Sequence, residues 1–132
     1  MLAALRRRQE LDAATQLARL GEIELHQGDL LQQLREFDQD YRDGLGAALQ
    51  NGVGGQRLME LRRMQGQTNQ ACDQQQRRVA DAQDQTERGR RAWQTANQRR
   101  RVFEELAQGL RRREGQRIAR REQDELDDLS QH

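Results

Sequence analysis

The side chains of this sequence that could do chemistry are above all arginines, which occur in short runs. The runs are 6–8, 99–101 and 111–113, followed by the pair 120–121. A guanidinium is permanently charged and binds carboxylates or phosphates through two parallel hydrogen bonds. The runs therefore have three interpretations: a solvated helix face, a nucleic-acid patch, or a docking surface for an acidic protein partner.

Nucleic acid is the weakest of these interpretations. The 132-residue chain has 23 basic and 22 acidic residues, a formal net charge of +1, whereas nucleic-acid-binding domains are usually strongly basic. Residues 99–121 contain nine arginines and three glutamates, a net charge of +6, but five acids follow in residues 122–128. These acids would repel phosphate, and aromatic side chains that stack on bases are sparse. We expect no nucleic acid among the partners.

Residues that could form a catalytic or metal site are too scattered to do so. His26 and His132 are far apart in sequence, and the single cysteine, Cys72, falls on the apolar seam described below. The glycines of 52–55 lack the following Lys-Ser/Thr of a phosphate-binding loop. The two-helix fold predicted below also has no interior large enough for a water-excluding pocket. We expect no enzyme activity, no cofactor and no metal.

The composition favours long helices over a rounded core or disorder. Only 33% of the residues are hydrophobic and 3% aromatic, too few for a globular core in so short a chain. Proline is absent, and most residues are good helix formers.

No stretch approaches the roughly 18 apolar residues of a membrane helix, and the N-terminus lacks the order of a secretory signal. We therefore expect a soluble protein. Its single cysteine cannot form an internal disulfide, so we expect a reducing compartment.

Apolar residues recur at seven-residue spacing, as in a coiled coil. In the first part of the chain one frame contains Leu20, Ile23, Leu30, Leu34, Phe37 and Tyr41. In the second part, the a and d positions of one frame are Leu58, Leu61, Thr68, Cys72, Val79, Ala82, Thr86, Trp93, Ala96, Phe103, Ala107 and Leu110. The polar Gln65, Gln75 and Arg100, and the interruption at Gly89, predict a seam of marginal stability.

Glycines mark the turn between the two parts. We predict a single coiled-coil domain over 1–132, with a first helix over about 2–50, a glycine-rich turn over 51–55 and a second helix over about 56–129. The predicted fold class is all-α: a long antiparallel two-helix coiled-coil hairpin with partners at positions summing to about 107. Because the second helix is longer, we expect it to overhang beyond about Ala107 and to present the arginines and then the acids.

Phe37 and Tyr41 lie four residues apart and so share a helix face. One interpretation places both side chains in the core. The other leaves them partly exposed near the turn as an anchor for a partner, since a tyrosine hydroxyl favours a hydrated edge.

Two segments resemble the FliJ family of the flagellar type III export apparatus. Residues 34–42 are similar to the aromatic-rich end of the family's first helix, and residues 121–129 to its E-Q-x-x-L-D-E/D ending. Trp93, after an arginine pair, also has a familiar place in the second helix. The resemblance covers essentially the whole chain. It implies an antiparallel coiled coil similar to the central stalk, or gamma subunit, of rotary ATPases.

The resemblance further implies a function for such a stalk. Its paired terminal end inserts into the hexameric ring of the export ATPase and promotes ring assembly and hydrolysis. Another part of it contacts the membrane export gate protein FlhA, and the stalk also handles export chaperones. The location implied is cytoplasmic, peripheral at the cytoplasmic face of the inner membrane.

Two sets of contact residues follow from the resemblance, the first also from the overhang and the charge pattern. We predict an ATPase-ring contact at Leu2, Leu5, Arg6, Arg7, Arg8, Arg99, Arg101, Arg112, Arg113, Arg120, Arg121, Glu122 and Leu126. By position in the family, the export-gate contact comprises Leu34, Phe37, Tyr41, Met64, Thr68, Ala71 and Gln75. The family often has an aromatic residue where this chain has Met64.

Two alternatives stay open from sequence alone. An injectisome-type secretion stalk shares the fold, the ATPase partner and much of the charge pattern, although the Leu-Asp-Asp ending and the Phe37/Tyr41 segment favour the flagellar version. A dimeric coiled-coil structural adaptor without ATPase coupling would instead pair its heptads between chains.

Overall fold

The structure, a computed structural model, describes residues 1–52 and 54–131 and places nearly all of them in two helices. Helix α1 spans Leu2–Asn51 and helix α2 spans Gly55–Ser130. No strand occurs in these described ranges. Side chains of α1 and α2 contact each other within the one chain, so the predicted all-α helical hairpin is confirmed. Neither helix, over its described residues, contains a segment long and apolar enough to span a bilayer.

The turn depends on one glycine conformation. Helix α1 continues through Gly44 and Gly46 to Asn51, and Gly52 follows with a φ of 67°. A residue with a Cβ would lose about 1–2 kcal/mol in this left-handed region, so glycine is the natural end of the helix. Helix α2 begins at Gly55, and the Leu58 N–H donates to the Gly54 carbonyl at 3.2 Å. Val53, within the predicted turn, lies outside the described residues.

Glycine-to-alanine replacements test this assignment. Gly52→Ala should lower the free energy of unfolding by about 1 kcal/mol, because alanine is strained at positive φ. Gly66→Ala is the matched control: Gly66 is an exposed position inside α2 where a Cβ meets nothing within 4 Å, so alanine should stabilise by up to about 1 kcal/mol. Urea unfolding followed by circular dichroism measures both. If both replacements changed the free energy of unfolding in the same direction, the result would contradict the left-handed turn at Gly52.

The contacts of the chain form two compact units, residues 15–91 and residues 1–14 with 92–132. We call the first the turn unit and the second the terminal unit. In the turn unit α1 and α2 pair in antiparallel order, and the pairing of Leu20 with Thr86 lies close to the predicted register. Among the described residues the buried apolar side chains are only Leu31, Ala48 and Ala82, which fits the predicted thin seam.

Polar side chains occupy the most buried seam positions of the turn unit. Gln75 is only 3% exposed, and its side-chain nitrogen donates to both the backbone and the side-chain oxygen of Gln27, at 2.8 and 2.7 Å. The Thr86 hydroxyl lies 3.0 Å from the Ala82 carbonyl and 3.2 Å from the Leu20 carbonyl. Buried polar groups need such partners, and the bonds from Gln75 to Gln27 and from Thr86 to Leu20 reach across to α1. The bonds therefore fix the register of the hairpin where apolar packing is sparse.

Gly89, which interrupts the heptad frame, marks a close approach of the two helices of the turn unit. A Cβ at this position would lie 2.7 Å from Leu20 Cδ1 and 3.7 Å from Leu17 Cα. The first contact is too short for two carbon atoms, so a side chain here would displace Leu20. What the sequence presents as a gap in the seam is therefore filled by α1 leucines.

In the terminal unit the start of α1 lies beside α2, and α2 then continues alone. Ala107 and Gly109 are half-buried, whereas every described residue from Leu110 to Gln131 is exposed. We call residues 111–130 the overhang. The predicted overhanging second helix is thus observed, beginning a few residues after the predicted position.

Candidate functional site

A shallow groove of 300 Å³ on the turn unit brings together side chains of both helices. We call it the aromatic groove. Its lining residues are Leu34, Phe37 and Tyr41 from α1, with Gln67, Thr68 and Ala71 from α2. Phe37 is 56% exposed, and Leu34 and Tyr41 are half-buried. The groove therefore exposes an apolar and aromatic surface, and the Phe37/Tyr41 pair is partly exposed rather than in the core.

Five of the seven predicted export-gate residues line this groove. Of the other two, Met64 is half-buried and accepts a hydrogen bond at its carbonyl from the Thr68 hydroxyl, at 2.9 Å. Gln75 lies one helical turn beyond Ala71, is 3% exposed and donates to Gln27, so its amide hydrogens are used inside the hairpin. We therefore assign Gln75 a positioning role in the seam rather than a surface that a partner could touch.

Gln67 lines the groove without having been predicted. Gln67 lies off the heptad frame, and its only signal in the sequence is its place one turn before Ala71. Its amide adds a donor and an acceptor to an otherwise apolar surface. A partner could therefore meet both an aromatic anchor and a polar group here.

Cys72 lies in the turn unit, one residue after the groove-lining Ala71. It is half-buried and free, and burial raises the pKa of its thiol, followed by a smaller effect of the nearby Asp38 carboxylate. A raised pKa keeps the sulfur in its weakly nucleophilic thiol form. This environment fits the predicted seam position and gives no support to a nucleophile.

Asp38 is the one side chain in the described residues with a buried oxygen that lacks a hydrogen-bond partner. Its other oxygen pairs with Arg42 at 3.0 Å, one turn along α1. The side chain as a whole is 15% exposed, so water reaches part of this carboxylate. Asp38 follows Phe37 directly and places a negative charge close to the aromatic groove.

The terminal unit is joined by an ion-pair network between its two helices. The Arg100 guanidinium donates to Glu10 across the hairpin and to Glu104 on its own helix at 2.9 Å. Asn97 also donates to Glu10, at 3.1 Å, and Arg7 pairs with Glu104 at 3.4 Å. These hydrogen bonds, first from Arg100 and then from Asn97, hold the pKa of the Glu10 carboxyl below its ordinary value. Arg100 thus acts mainly inside the hairpin, whereas the Arg7 side chain is largely exposed beside the network.

The Glu10 network predicts a pH dependence of stability. A carboxyl whose pKa is lower in the folded state contributes stability above its unfolded value of about 4.5, and that contribution is lost as the pH falls through the folded pKa. Glu10→Gln should therefore lower the melting temperature at neutral pH and flatten its decline in acid. Glu105→Gln is the control, because it removes an exposed carboxylate of α2 in the same terminal unit. Melting curves of equal acid sensitivity in wild type and Glu10→Gln would contradict the network.

All the predicted ATPase-ring residues lie in the terminal unit. Arg6 is half-buried, and the others are exposed, including the apolar Leu2, Leu5 and Leu126 at 58%, 48% and 60%. Arg7 is exposed but paired with Glu104. The set therefore divides into a part on the paired helices, residues 2–8 with 99 and 101, and a part on the overhang.

Two grooves on the paired helices of the terminal unit carry apolar side chains that the seven-residue frame does not contain. One, of 380 Å³, is lined by Arg6, Thr95, Gln98, Arg99, Val102, Phe103 and Leu106. The other, of 470 Å³, is lined by Arg7, Glu10, Leu11, Ala14, Trp93, Arg100 and Glu104. Val102, Leu106 and Leu11 are 49%, 63% and 66% exposed, and sequence reasoning did not single them out. The sequence does contain a signal for these residues. They are apolar residues next to the heptad positions, where a solvated helix would carry polar residues.

No group of histidine, cysteine and acidic side chains in the described parts of the chain could hold a metal ion. The surfaces found are shallow and open, and they suit protein docking. What they offer is exposed apolar area flanked by arginines in the terminal unit, and an aromatic groove in the turn unit.

Comparison with protein families gives a match over the whole chain. A family model described as Flagellar FliJ protein matches residues 1–132, the whole chain. Neither the curated proteins nor the solved structures gave a significant match. The family match covers both units and hence both candidate docking surfaces.

Proposed function

The chain belongs to the flagellar FliJ protein family, a structural component of the flagellar type III export apparatus, and on this premise we propose that it is the central stalk of the export ATPase. The observation that carries the proposal is the family match along all 132 residues. A helical hairpin with an overhanging helix is the architecture such a stalk requires. In this proposal the chain binds the ATPase hexamer, promotes its assembly and ATP hydrolysis, and catalyses nothing itself.

The terminal unit is the part proposed to enter the ATPase ring. It combines exposed leucines at 2 and 5 with arginines on both helices, and the overhang adds further arginines and then acids. Exposed ion pairs contribute only about 0–1 kcal/mol each and are weakened by salt. A set of many weak charged contacts gives attraction without locking one orientation, which suits a stalk that meets several equivalent subunits in turn.

The aromatic groove is the part proposed to contact the export gate protein FlhA. Phe37 is the best anchor, because it is an aromatic residue of which more than half is exposed. Leu34, Tyr41 and Ala71 extend the apolar area around it, and Gln67 and Thr68 supply polar groups at its edge. Aromatic anchors surrounded by smaller contacts are the usual make-up of a strong binding site.

Export chaperones are proposed as further partners, and the chain is proposed to lie at the cytoplasmic face of the inner membrane through its contacts with the export apparatus. The family match supports both proposals only through membership of that apparatus. No chaperone surface is assigned.

A bridging experiment tests the proposed coupling. The export ATPase is immobilised, the soluble part of FlhA is passed over it, and the chain is added or omitted. We expect FlhA to be retained only when the chain is present, because the two partners use different units of the same molecule. If the immobilised ATPase retains neither the chain nor FlhA, the result favours a structural adaptor without ATPase coupling and overturns the proposal.

A further inference from the structure

The overhang divides into two halves of equal and opposite charge. Residues 111–121 contain six arginines and one glutamate, a net charge of +5, and residues 122–128 contain five acids and no base, a net charge of −5. All of these residues are exposed. Only one ion pair is formed within the overhang, between Arg117 and Glu114 at 2.8 Å, among the pairs that the described residues make. Most of both charges is therefore directed to solvent.

Exposed apolar residues of this part of α2 lie on both sides of Ile118. Leu110 and Leu126 lie eight positions before and after it, and Leu129 lies eleven positions after it. Because eleven residues are close to three helical turns, Ile118 and Leu129 share one face, and Leu110 and Leu126 lie on its two flanks. The exposed fractions are 64% for Leu110, 48% for Ile118, 60% for Leu126 and 73% for Leu129. A solvated single helix has no need of this apolar set.

We propose that the overhang docks onto the overhang of a second copy of this chain, in antiparallel orientation about a two-fold axis near Ile118. Antiparallel docking places the basic half of each copy against the acidic half of the other, twice, and brings Ile118 close to its counterpart. Parallel docking would set basic against basic and acidic against acidic, so the charges select one orientation. The contact is isologous and closes at two copies.

The dimer is weak and sensitive to salt. Two helices of this length cover less than the roughly 800 Å² per partner of a standard stable interface, so a dissociation constant in the micromolar range or above is expected. Exposed charges are screened within about 8 Å at physiological salt, and raising the salt should weaken the dimer by about tenfold or more. A heptad dimer held by apolar seams would respond little to salt.

The docked helix also carries Arg112, Arg113, Arg120, Arg121, Glu122 and Leu126, which are proposed to contact the ATPase ring. The dimer and the ATPase ring therefore compete for the same helix. The dimer is a storage form, which dissociates into single chains at low concentration or when a chain binds the ring. This competition rests on the proposed function, whereas the dimer itself does not.

Complementary charge reversals test the dimer without the ATPase. The first variant carries Arg111→Glu, Arg112→Glu and Arg113→Glu, which changes its basic half from +5 to −1. The second carries Asp124→Arg, Glu125→Arg, Asp127→Arg and Asp128→Arg, which changes its acidic half from −5 to +3. All the changed positions are exposed, and circular dichroism checks that each full-length variant is helical. Sedimentation equilibrium at low salt then measures mass for each variant and for an equimolar mixture.

We expect wild type to dimerise, each variant alone to be monomeric, and the mixture to form a heterodimer, because each altered half again meets the opposite charge. Wild type that stays monomeric at high concentration would overturn the proposal. So would variants that dimerise alone, since that would place the interface elsewhere. A mixture that stays monomeric while wild type dimerises would exclude the antiparallel pairing. None of these results depends on whether the chain stimulates an ATPase.

Discussion

Replacing both Phe37 and Tyr41 with alanine should reduce the affinity for FlhA by at least about 100-fold while leaving the hairpin folded. The two side chains share one face of α1 and form the α1 side of the aromatic groove together with Leu34. Aromatic anchors at interface centres commonly contribute 2 kcal/mol or more each. Because Phe37 is 56% exposed, its truncation removes little buried area from the hairpin itself.

Leu25→Ala is the control for this prediction. Leu25 is another large apolar residue of α1 in the turn unit, it is 71% exposed, and it does not line the groove. Isothermal titration calorimetry with soluble FlhA should give wild-type affinity for Leu25→Ala and a lost signal for the double variant. If both variants bind like wild type, the groove is not the gate contact.

Reversing the charge of Arg111, Arg112, Arg113, Arg120 and Arg121 to glutamate should weaken binding to the export ATPase by about 100-fold or more. The five side chains are exposed on the overhang, and their reversal changes the net charge of the overhang by ten units. Each contact alone is worth little, but the reversal adds repulsion at every site at which attraction is expected. The effect should shrink as salt is raised, because the Debye length falls.

A second five-arginine reversal controls for net charge. Arg57, Arg62, Arg63, Arg77 and Arg78 are exposed on the part of α2 that lies in the turn unit, and their reversal changes the charge of the chain by the same amount. Binding measured by surface plasmon resonance should stay near the wild-type value for this variant. Equal losses in both variants would show that total charge, and not the overhang, governs binding.

The helices and the turn could be predicted because they depend on local rules. Heptad spacing, the absence of proline and the glycine cluster after Asn51 each act within a few residues, and the observed helices begin and end within a residue or so of the predicted limits. The partner of Arg100 could not be predicted in this way. A register from apolar rows alone sets Asn97 opposite Glu10, whereas the long Arg100 side chain reaches the same carboxylate from almost one turn away.

The candidate docking surfaces were predictable only in part. Gln75 has both a frame position and a place in the family's gate contact, and only the structure shows that its amide is used by Gln27. Gly89 is a break in the frame by sequence, yet Leu20 and Leu17 fill the space beside it. Val102 and Leu106 could be recognised only by a different rule. An exposed apolar residue beside the seam can be identified from the sequence only after the heptad positions of the seam have been assigned.

Stimulation of ATP hydrolysis tests the stalk account most directly. The purified export ATPase is titrated with the wild-type chain, and the hydrolysis rate is followed at constant ATP. The account predicts a severalfold rise that saturates near about one chain per hexamer, because a ring has one central channel whatever the number of its subunits. A rate that does not change at any ratio of chain to ATPase would contradict it.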